Sequence, residues 1–131
     1  MRLIAPQVKI REYANFAGVA YLETASGVML DTSNCVSASV NLFDLGSSTP
    51  SIPVFSAPTL QAANCMFDTR QVDGYATYLG DGDGYNFLYV LNDDDYHMQG
   101  GKTYRLEVIL TTTGYGQVAM VWNISIGEMF S

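Results

Sequence analysis

Basic side chains, histidine and long apolar runs are all scarce in this sequence. Six lysine and arginine residues stand against thirteen acidic ones, which gives a formal net charge of −7. The six are scattered and form no positive stripe that could follow a nucleic-acid backbone, so we expect no direct nucleic-acid partner. No apolar run approaches the roughly 20 residues of a membrane-spanning helix, so we expect no membrane partner either.

A secretory signal is also missing from the N-terminal residues. They read "MRLIAPQVKIREY" and contain neither an apolar segment of about 7–15 residues nor a small-residue cleavage site. We therefore expect the protein to be made and retained in the cytoplasm. In that reducing compartment Cys35 and Cys65 are expected to be buried free thiols, and a disulfide between them across the fold is the alternative.

Apolar and polar residues alternate with a period of two along much of the chain. Segments 36–42, 104–110 and 118–126 place apolar residues at every second position, as in strands buried on one face. Clusters of Gly, Pro, Ser, Asn and Asp separate such segments. No segment shows the spacing of apolar residues that is typical of a helix. The pattern predicts an all-β protein, a single antiparallel β-sandwich of about seven to nine strands over residues 1–131. The predicted core residues are Val36, Val40, Leu42, Tyr104, Leu106, Val108, Met120, Trp122 and Ile124.

The segment "MQGGKTYRLEV" narrows the fold further. Met98 precedes Tyr104 by six residues, Gly101 precedes it by three, and alternating apolar residues follow. This arrangement resembles the turn before the penultimate strand of immunoglobulin-like and fibronectin-like sandwiches, where an apolar plug, a glycine and a corner tyrosine occur together. The resemblance implies an Ig-like β-sandwich. It departs from antibody domains at Leu106, which stands where their inter-sheet cysteine falls.

Taken as a whole, the chain resembles a small phage or prophage virion protein with an Ig-like β-sandwich. It is short, acidic, free of a signal, rich in Gly, Thr and Tyr, and poor in Lys. The resemblance implies a non-enzymatic structural or assembly protein of the tail, neck, adaptor or capsid decoration. Its partners would be other virion proteins or itself, as a homo-oligomer, and it would be assembled in the host cytoplasm and located in the virion.

Acidic residues gather in two turns and raise the question of a metal site. Asp81 and Asp83 precede the strand segment 85–91, and three further aspartates follow it at 93–95. A strand of about seven residues spans roughly 23 Å, so its two ends cannot bind one calcium ion. We therefore interpret the aspartates as turn residues and predict no metal site and no cofactor.

His97 is the only histidine and the residue on which a catalytic interpretation depends. A nucleophilic site needs a histidine beside a nucleophile and an orienting acid, but neither Cys35 nor Cys65 lies in a recognisable catalytic motif. Because His97 stands among Asp and Gln just before two glycines, we interpret it as a surface turn residue. We predict that the protein is not an enzyme.

A carbohydrate-binding β-sandwich module is the alternative function. The chain has nine tyrosines, and exposed aromatic rings can stack on sugar rings. The residues of such a platform are Tyr75, Tyr78, Tyr85, Tyr89 and Tyr115. Trp122 does not belong to it, because it alternates in phase with Met120 and Ile124 and is therefore predicted in the core.

The first seven residues form a candidate docking arm. Residues 1–7 are mostly apolar and contain Pro6. Met1, Leu3 and Ile4 are predicted to bind a partner surface, either the arm's own sheet edge or a neighbouring subunit. The strand segments "YNFLYVL" and "QVAMVWNISI" carry no charge, so either one would be suited to pairing with another chain if it lay at a sheet edge.

Overall fold

The described residues of the protein, in its computed structural model, form ten strands in two sheets. The structure describes residues 2–4, 8–79 and 83–128, and for residues 2–4, 77 and 78 it describes the backbone alone. The strands are β1 (Arg2–Ile4), β2 (Val8–Arg11), β3 (Phe16–Ala20), β4 (Cys35–Asp44), β5 (Phe55–Ser56), β6 (Leu60–Gln61), β7 (Met66–Gln71), β8 (Tyr85–Leu91), β9 (Thr103–Thr112) and β10 (Gln117–Gly127). The prediction of an all-β fold is confirmed.

Helical structure is limited to two short 3-10 helices within these residues, Ala62–Asn64 and Gly74–Leu79. Their sequences alternate small, polar and aromatic residues without a continuous apolar stripe, so they do not extend into α-helices. None of the helices in the described part of the chain is long and apolar enough to cross a membrane.

The larger sheet has seven strands and mixed pairing. Its order is β1–β10–β9–β4–β5, with β2 also pairing with β10 and β6 with β4. The long strands β4, β9 and β10 pair antiparallel, whereas β1 and β2 each run parallel to β10. Along β10, β1 pairs with residues 119–121 and β2 with residues 124–127. The sequence had predicted a purely antiparallel sandwich. The pairing of this sheet is instead mixed.

The smaller sheet has three antiparallel strands in the order β3–β8–β7. Its central strand is β8, which reads "YNFLYVL". The pairing of β7 with β8 is irregular between Met66 and Gln71. Such an irregularity keeps an edge strand from presenting a regular row of backbone groups to other chains.

The main apolar core lies between the two sheets. Leu106 and Leu110 of the larger sheet and Phe16 and Phe87 of the smaller one are buried in it. The indole ring of Trp122 bridges the sheets, with its centroid 6.2 Å from the ring centroids of Phe16 and of Phe87. Two sheets around one shared core are consistent with a β-sandwich.

All the predicted core residues except Val36 are buried. Val36 is 51% exposed, because the register of β4 against β9 shifts between Cys35 and Ser37. A register shift of this kind changes which residues face the core. Cys35 and Ala38 therefore point inward and Val36 points to solvent, so the prediction for Val36 is wrong.

Val36 and Val40 offer a matched test of this shift on one strand. Val40 is 1% exposed, so Val40→Ala is expected to lower the free energy of unfolding by about 2 kcal/mol. Val36→Ala is expected to change it by less than about 0.5 kcal/mol, as for other surface positions. Urea denaturation of the two variants measures the difference, and equal losses would contradict the register described here.

The two uncharged strands both lie inside their sheets. β8 is flanked by β3 and β7, and β10 lies between β9 on one side and β1 and β2 on the other. The sequence suggested that either strand could pair with another chain if it lay at a sheet edge. Neither strand lies at an edge. The outer strands of the larger sheet are instead the short ones, β1 and β2 at one border and β5 and β6 at the other.

The turn before β9 has the hydrogen bond expected of a tyrosine corner. The buried hydroxyl group of Tyr104 accepts a hydrogen bond of 2.9 Å from the backbone N–H of Gln99. Gly101 adopts a φ of 83°, a value that favours glycine, and its N–H donates to the Ile126 carbonyl at 2.7 Å. Met98 is 5% exposed beneath the turn. These contacts fasten the turn to the end of β10.

Candidate functional site

The border formed by β2 presents backbone groups outward from the larger sheet. The N–H of Glu12 donates to the Gly127 carbonyl at 2.9 Å, and hydrogen bonding alternates along a strand. The N–H of Ile10 therefore points toward β10, and those of Lys9 and Arg11 point away from it. The side chains of Lys9 and Arg11 are exposed, so this border is accessible to a partner.

A cleft of about 310 Å³ lies beside the same border. Its lining residues are Lys9, Ile10, Arg11, Gly127 and Glu128. The described lining contains two of the chain's six basic residues and one glutamate. The cleft is therefore suited to charge contacts with a polar surface.

Three ionisable side chains from two connecting segments meet at the end of β2. Glu12 follows β2, Asp93 lies in the turn after β8, and His97 lies just before β9. The His97 Nε2 atom is 2.8 Å from Glu12 Oε2, and its Nδ1 atom is 2.7 Å from Asp93 Oδ1. We refer to these three residues as the Glu12–His97–Asp93 cluster.

The two carboxylates determine the protonation state of the ring. A neutral imidazole has one N–H and one lone pair, so it can donate to only one carboxylate, whereas the imidazolium form donates to both. Hydrogen bonds to Asp93 and to Glu12 raise the pKa of His97 above its ordinary value of 6.5, against the opposing effect of desolvation. The folded protein therefore favours the positively charged ring.

Tyr13 and Asn15 hold further parts of the same junction together. The Tyr13 ring lies over the His97 ring with centroids 4.6 Å apart and an interplanar angle of 33°, a contact that favours a cationic ring. Tyr13 has a φ of 71°, which is uncommon for a residue other than glycine. The Asp93 N–H donates to the side-chain oxygen of Asn15 at 2.9 Å. Side chains thus tie the chain after β2 to the turn after β8.

The geometry of the cluster does not suit a metal ion. Glu12 and Asp93 bind opposite nitrogens of one imidazole ring, so the three side chains do not converge on a common point. The described residues contain no group of three or more His, Cys, Asp or Glu side chains that could hold a metal.

Both cysteines are buried and free, in agreement with the interpretation preferred from the sequence. Burial raises the pKa of the Cys35 thiol and of the Cys65 thiol to about 11. Protonated thiols are poor nucleophiles at neutral pH. Because carboxylates occupy both ring nitrogens of His97, neither nitrogen is placed to activate a thiol.

Two aspartates of the turn after β8 accept hydrogen bonds within the connection between β8 and β9, and one of them also belongs to the cluster with Glu12. The Asp95 carboxylate accepts a hydrogen bond of 3.2 Å from the Asn92 N–H, which is typical of a turn residue. Asp93 binds His97 four residues later, and that spacing was visible in the sequence. The Glu12 contact was not, because 85 residues separate Glu12 from His97. Asp83 is exposed and Asp81 lies outside the described residues.

The proposed sugar-binding platform of tyrosines is wrong in part. Tyr85 is 1% exposed and Tyr89 is 9% exposed, and burial raises the pKa of each phenol to about 12. Tyr75 and Tyr115 are exposed, and the side chain of Tyr78 lies outside the described part. Of the five, only Tyr85 and Tyr89 lie in a strand, β8, whereas Tyr75 and Tyr78 lie in the 3-10 helix Gly74–Leu79 and Tyr115 lies between β9 and β10. Composition could not show which tyrosines the packing of β8 would bury.

The predicted partner-binding residues are described only in part. Met1 lies outside the described residues, and for Leu3 and Ile4 the structure describes the backbone alone. That backbone pairs with Met120 and Val121 of β10, so the arm contacts its own sheet, which is one of the two alternatives. Contact of these side chains with a partner stays a prediction.

Comparison with known proteins yields no relative from which a role could be transferred. No protein-family model, no curated protein and no solved structure matches the chain. The function proposed for the protein therefore rests on its own residues and contacts.

Proposed function

We propose that the protein is a non-enzymatic structural protein of a phage virion that acts through protein–protein contacts at the β1–β2 border. One observation carries the proposal, namely that β2 is an outer strand whose Lys9 and Arg11 N–H groups point away from β10. An open strand of this kind can accept a strand from another chain. The arm residues Met1, Leu3 and Ile4 belong to the same proposed interface.

Charge favours an acidic partner for this border, and a second copy of the chain is one. The side chains of Lys9 and Arg11 are exposed beside the cleft, whereas the whole chain carries a net charge of −7. Opposite charges steer association and set its orientation. Another acidic virion protein would satisfy the same contacts.

The finer assignment to the Ig-like class is supported by the corner at the start of β9. The hydrogen bond from the Gln99 N–H to the Tyr104 hydroxyl joins a tyrosine to backbone a few residues upstream, as in the tyrosine corner of immunoglobulin-like domains. A location in the tail, neck, adaptor or capsid decoration, with assembly in the host cytoplasm, completes the proposal.

Lys9→Pro tests the role of the border. Proline removes the outward N–H without removing a bond to β10, and sheet edges tolerate proline. We expect the full chain to self-associate at high concentration and Lys9→Pro to weaken this association about tenfold, the effect of losing one net hydrogen bond at the interface. Sedimentation velocity over a concentration series measures the change.

Two further variants distinguish the contributions that the Lys9 N–H, the Lys9 charge and the N-terminal arm make to self-association. Lys9→Ala keeps the N–H and removes the charged side chain, so a weaker effect than that of Lys9→Pro is expected. Deletion of residues 1–6 removes the arm and is expected to weaken association as well. A full chain that stays monomeric at every concentration would contradict self-association, and a hetero-partner would then be the remaining occupant of the border.

A further inference from the structure

The side chains of the segment that leaves β2 make three contacts with His97 or Asp93. Glu12 binds His97 at 2.8 Å, the Tyr13 ring lies over the His97 ring, and Asn15 binds the Asp93 N–H at 2.9 Å. The Glu12 N–H also makes the last backbone bond between this segment and β10, to Gly127. A change at His97 therefore acts directly on the attachment of β2.

We propose that the Glu12–His97–Asp93 cluster is a proton-operated latch. It holds the end of β2 on β10, and so keeps β2 in place as the docking edge, while His97 carries a proton on both ring nitrogens; it loosens that end when one of those protons is lost. The docking step rests on the function proposed above. The latch itself rests on the geometry of the three side chains.

Loss of one ring proton from His97 removes one of the two hydrogen bonds that hold the cluster together. After deprotonation one ring nitrogen presents a lone pair to a carboxylate oxygen that lies 2.7 or 2.8 Å away, and two acceptors at that distance repel each other. Either Glu12 or Asp93 must then move away from the ring. If Glu12 moves away, the side-chain bond between the end of β2 and the connection after β8 is lost; if Asp93 moves away, His97 loses the bond that orients its ring toward Glu12.

The surroundings of the ring are strongly acidic. The ionisable groups on the elements around it are Glu12 and Tyr13 after β2, Asp93, Asp94 and Asp95 in the turn after β8, and Glu128 after β10. A Cβ atom at Gly100 would lie 2.8 Å from Glu12 Oε1 and 3.2 Å from Glu128 Cγ, so both glutamates flank the same glycine. Lys9 and Arg11 line the neighbouring cleft together with Glu128. A neutral ring would leave the Glu12 and Asp93 carboxylates without a cation between them.

The direction of the pH dependence follows from the raised pKa of His97, caused by hydrogen bonds to Asp93 and then Glu12. A group whose pKa is higher in the folded state stabilises that state fully below the unfolded pKa, here about 6.5. That stabilisation is lost as the pH rises through the folded-state pKa. The latch is therefore closed under mildly acidic conditions and opens toward alkaline pH.

Proton NMR on the full chain tests the cluster directly, because His97 is the only histidine and its ring gives one isolated signal. The titration midpoint is expected above 6.5. Glu12→Gln is expected to lower that midpoint, since a neutral amide can pair with either ring form. Glu128→Gln is the matched control, which removes the neighbouring carboxylate rather than one at a ring nitrogen, and a smaller shift is expected. A midpoint at or below 6.5, or equal shifts in the two variants, would overturn the proposal.

Amide hydrogen exchange in dilute solution tests the release. The protection factor of the Glu12 amide is expected to fall with the midpoint of the His97 titration, and His97→Gln is expected to abolish this pH dependence. The Gly101 amide, bonded to Ile126 at the other side of β10, serves as the control and is expected to keep its protection. Loss of protection at both amides together, or at neither, would overturn the latch.

Sedimentation across the same pH range separates the latch from the proposed function. Self-association that weakens as the pH rises through the His97 midpoint supports docking on β2 held in place. If self-association does not change with pH while the His97 titration and the amide exchange behave as expected, only the docking step is overturned. A chain that stays monomeric at every pH contradicts the proposed function, whereas the titration and the exchange data decide on the latch by themselves.

Discussion

Asn86→Ala is expected to lower the free energy of unfolding by about 4 kcal/mol and the melting temperature by about 15 °C. Asn86 lies in β8 and is fully buried. Its Oδ1 atom accepts a hydrogen bond of 2.7 Å from the Leu22 N–H, and its Nδ2 atom donates to the carbonyls of Leu22 and Leu30, both at 2.8 Å. Only this orientation of the amide satisfies one donor and two acceptors.

The expected loss comes from backbone groups that the variant would leave buried. Without the amide, the Leu22 N–H and the Leu30 carbonyl lose the hydrogen bonds that Asn86 makes to them, at a cost of about 1–3 kcal/mol each. The Leu22 carbonyl keeps a bond of 3.1 Å from the Leu30 N–H. The side chain of Asn86 thus supplies the bonds that a neighbouring strand would supply to the 22–30 segment, where Leu22 and Leu30 are both 0% exposed.

Urea denaturation followed by circular dichroism measures this effect. Asn41→Ala is the control, because its side chain bonds only the Ser56 hydroxyl at an exposed site, and a loss below about 1 kcal/mol is expected. Asn86→Asp keeps the acceptor for the Leu22 N–H but cannot donate while ionised. It is expected to be strongly destabilising near neutral pH and partly rescued in acid, where the protonated carboxyl group can donate to one carbonyl. Similar small losses at positions 86 and 41 would contradict the role given to Asn86.

Trp122→Ala is expected to cost about 4 kcal/mol, in the range of other buried Trp truncations. Trp122 is 4% exposed and its ring lies between those of Phe16 and Phe87. The ring also crosses the backbone of β3 at Gly18, where an added Cβ atom would lie 3.3 Å from Trp122 Cη2 and Cζ2. The absence of a side chain at Gly18 therefore makes room for the indole.

A double-mutant cycle with Gly18→Ala tests this contact. Gly18→Ala alone is expected to destabilise the protein by about 1 kcal/mol, because the added methyl group overpacks the indole. In the Trp122→Ala background the same methyl group enters the cavity, so its cost is expected to vanish or reverse, with a coupling energy of about 1 kcal/mol. Four urea curves, followed by circular dichroism because the tryptophan is absent from two of the proteins, give the coupling. Strictly additive losses would show that Gly18 and Trp122 do not depend on each other.

The amino-acid sequence by itself determined the all-β class, most of the core and the turn before β9. Leu106, Met120 and Trp122 were assigned to the core because side chains alternate along a strand and one face of each strand must be buried. The corner at Tyr104 was visible because its partners lie within six residues of it. Patterns of this kind depend on local spacing alone. Val36 was misassigned because a register shift interrupts the alternation without any signal in composition.

Only the tertiary structure decided which distant segments meet. The parallel pairing of β1 and β2 with β10, the bonds of Asn86 to Leu22 across 64 residues, and the contact of Glu12 with His97 across 85 residues leave no local pattern. Each depends on how two sheets pack and on where the loops return, so the side chains involved become neighbours only after folding. The same packing placed the uncharged strands β8 and β10 inside their sheets and left the charged strand β2 at the border.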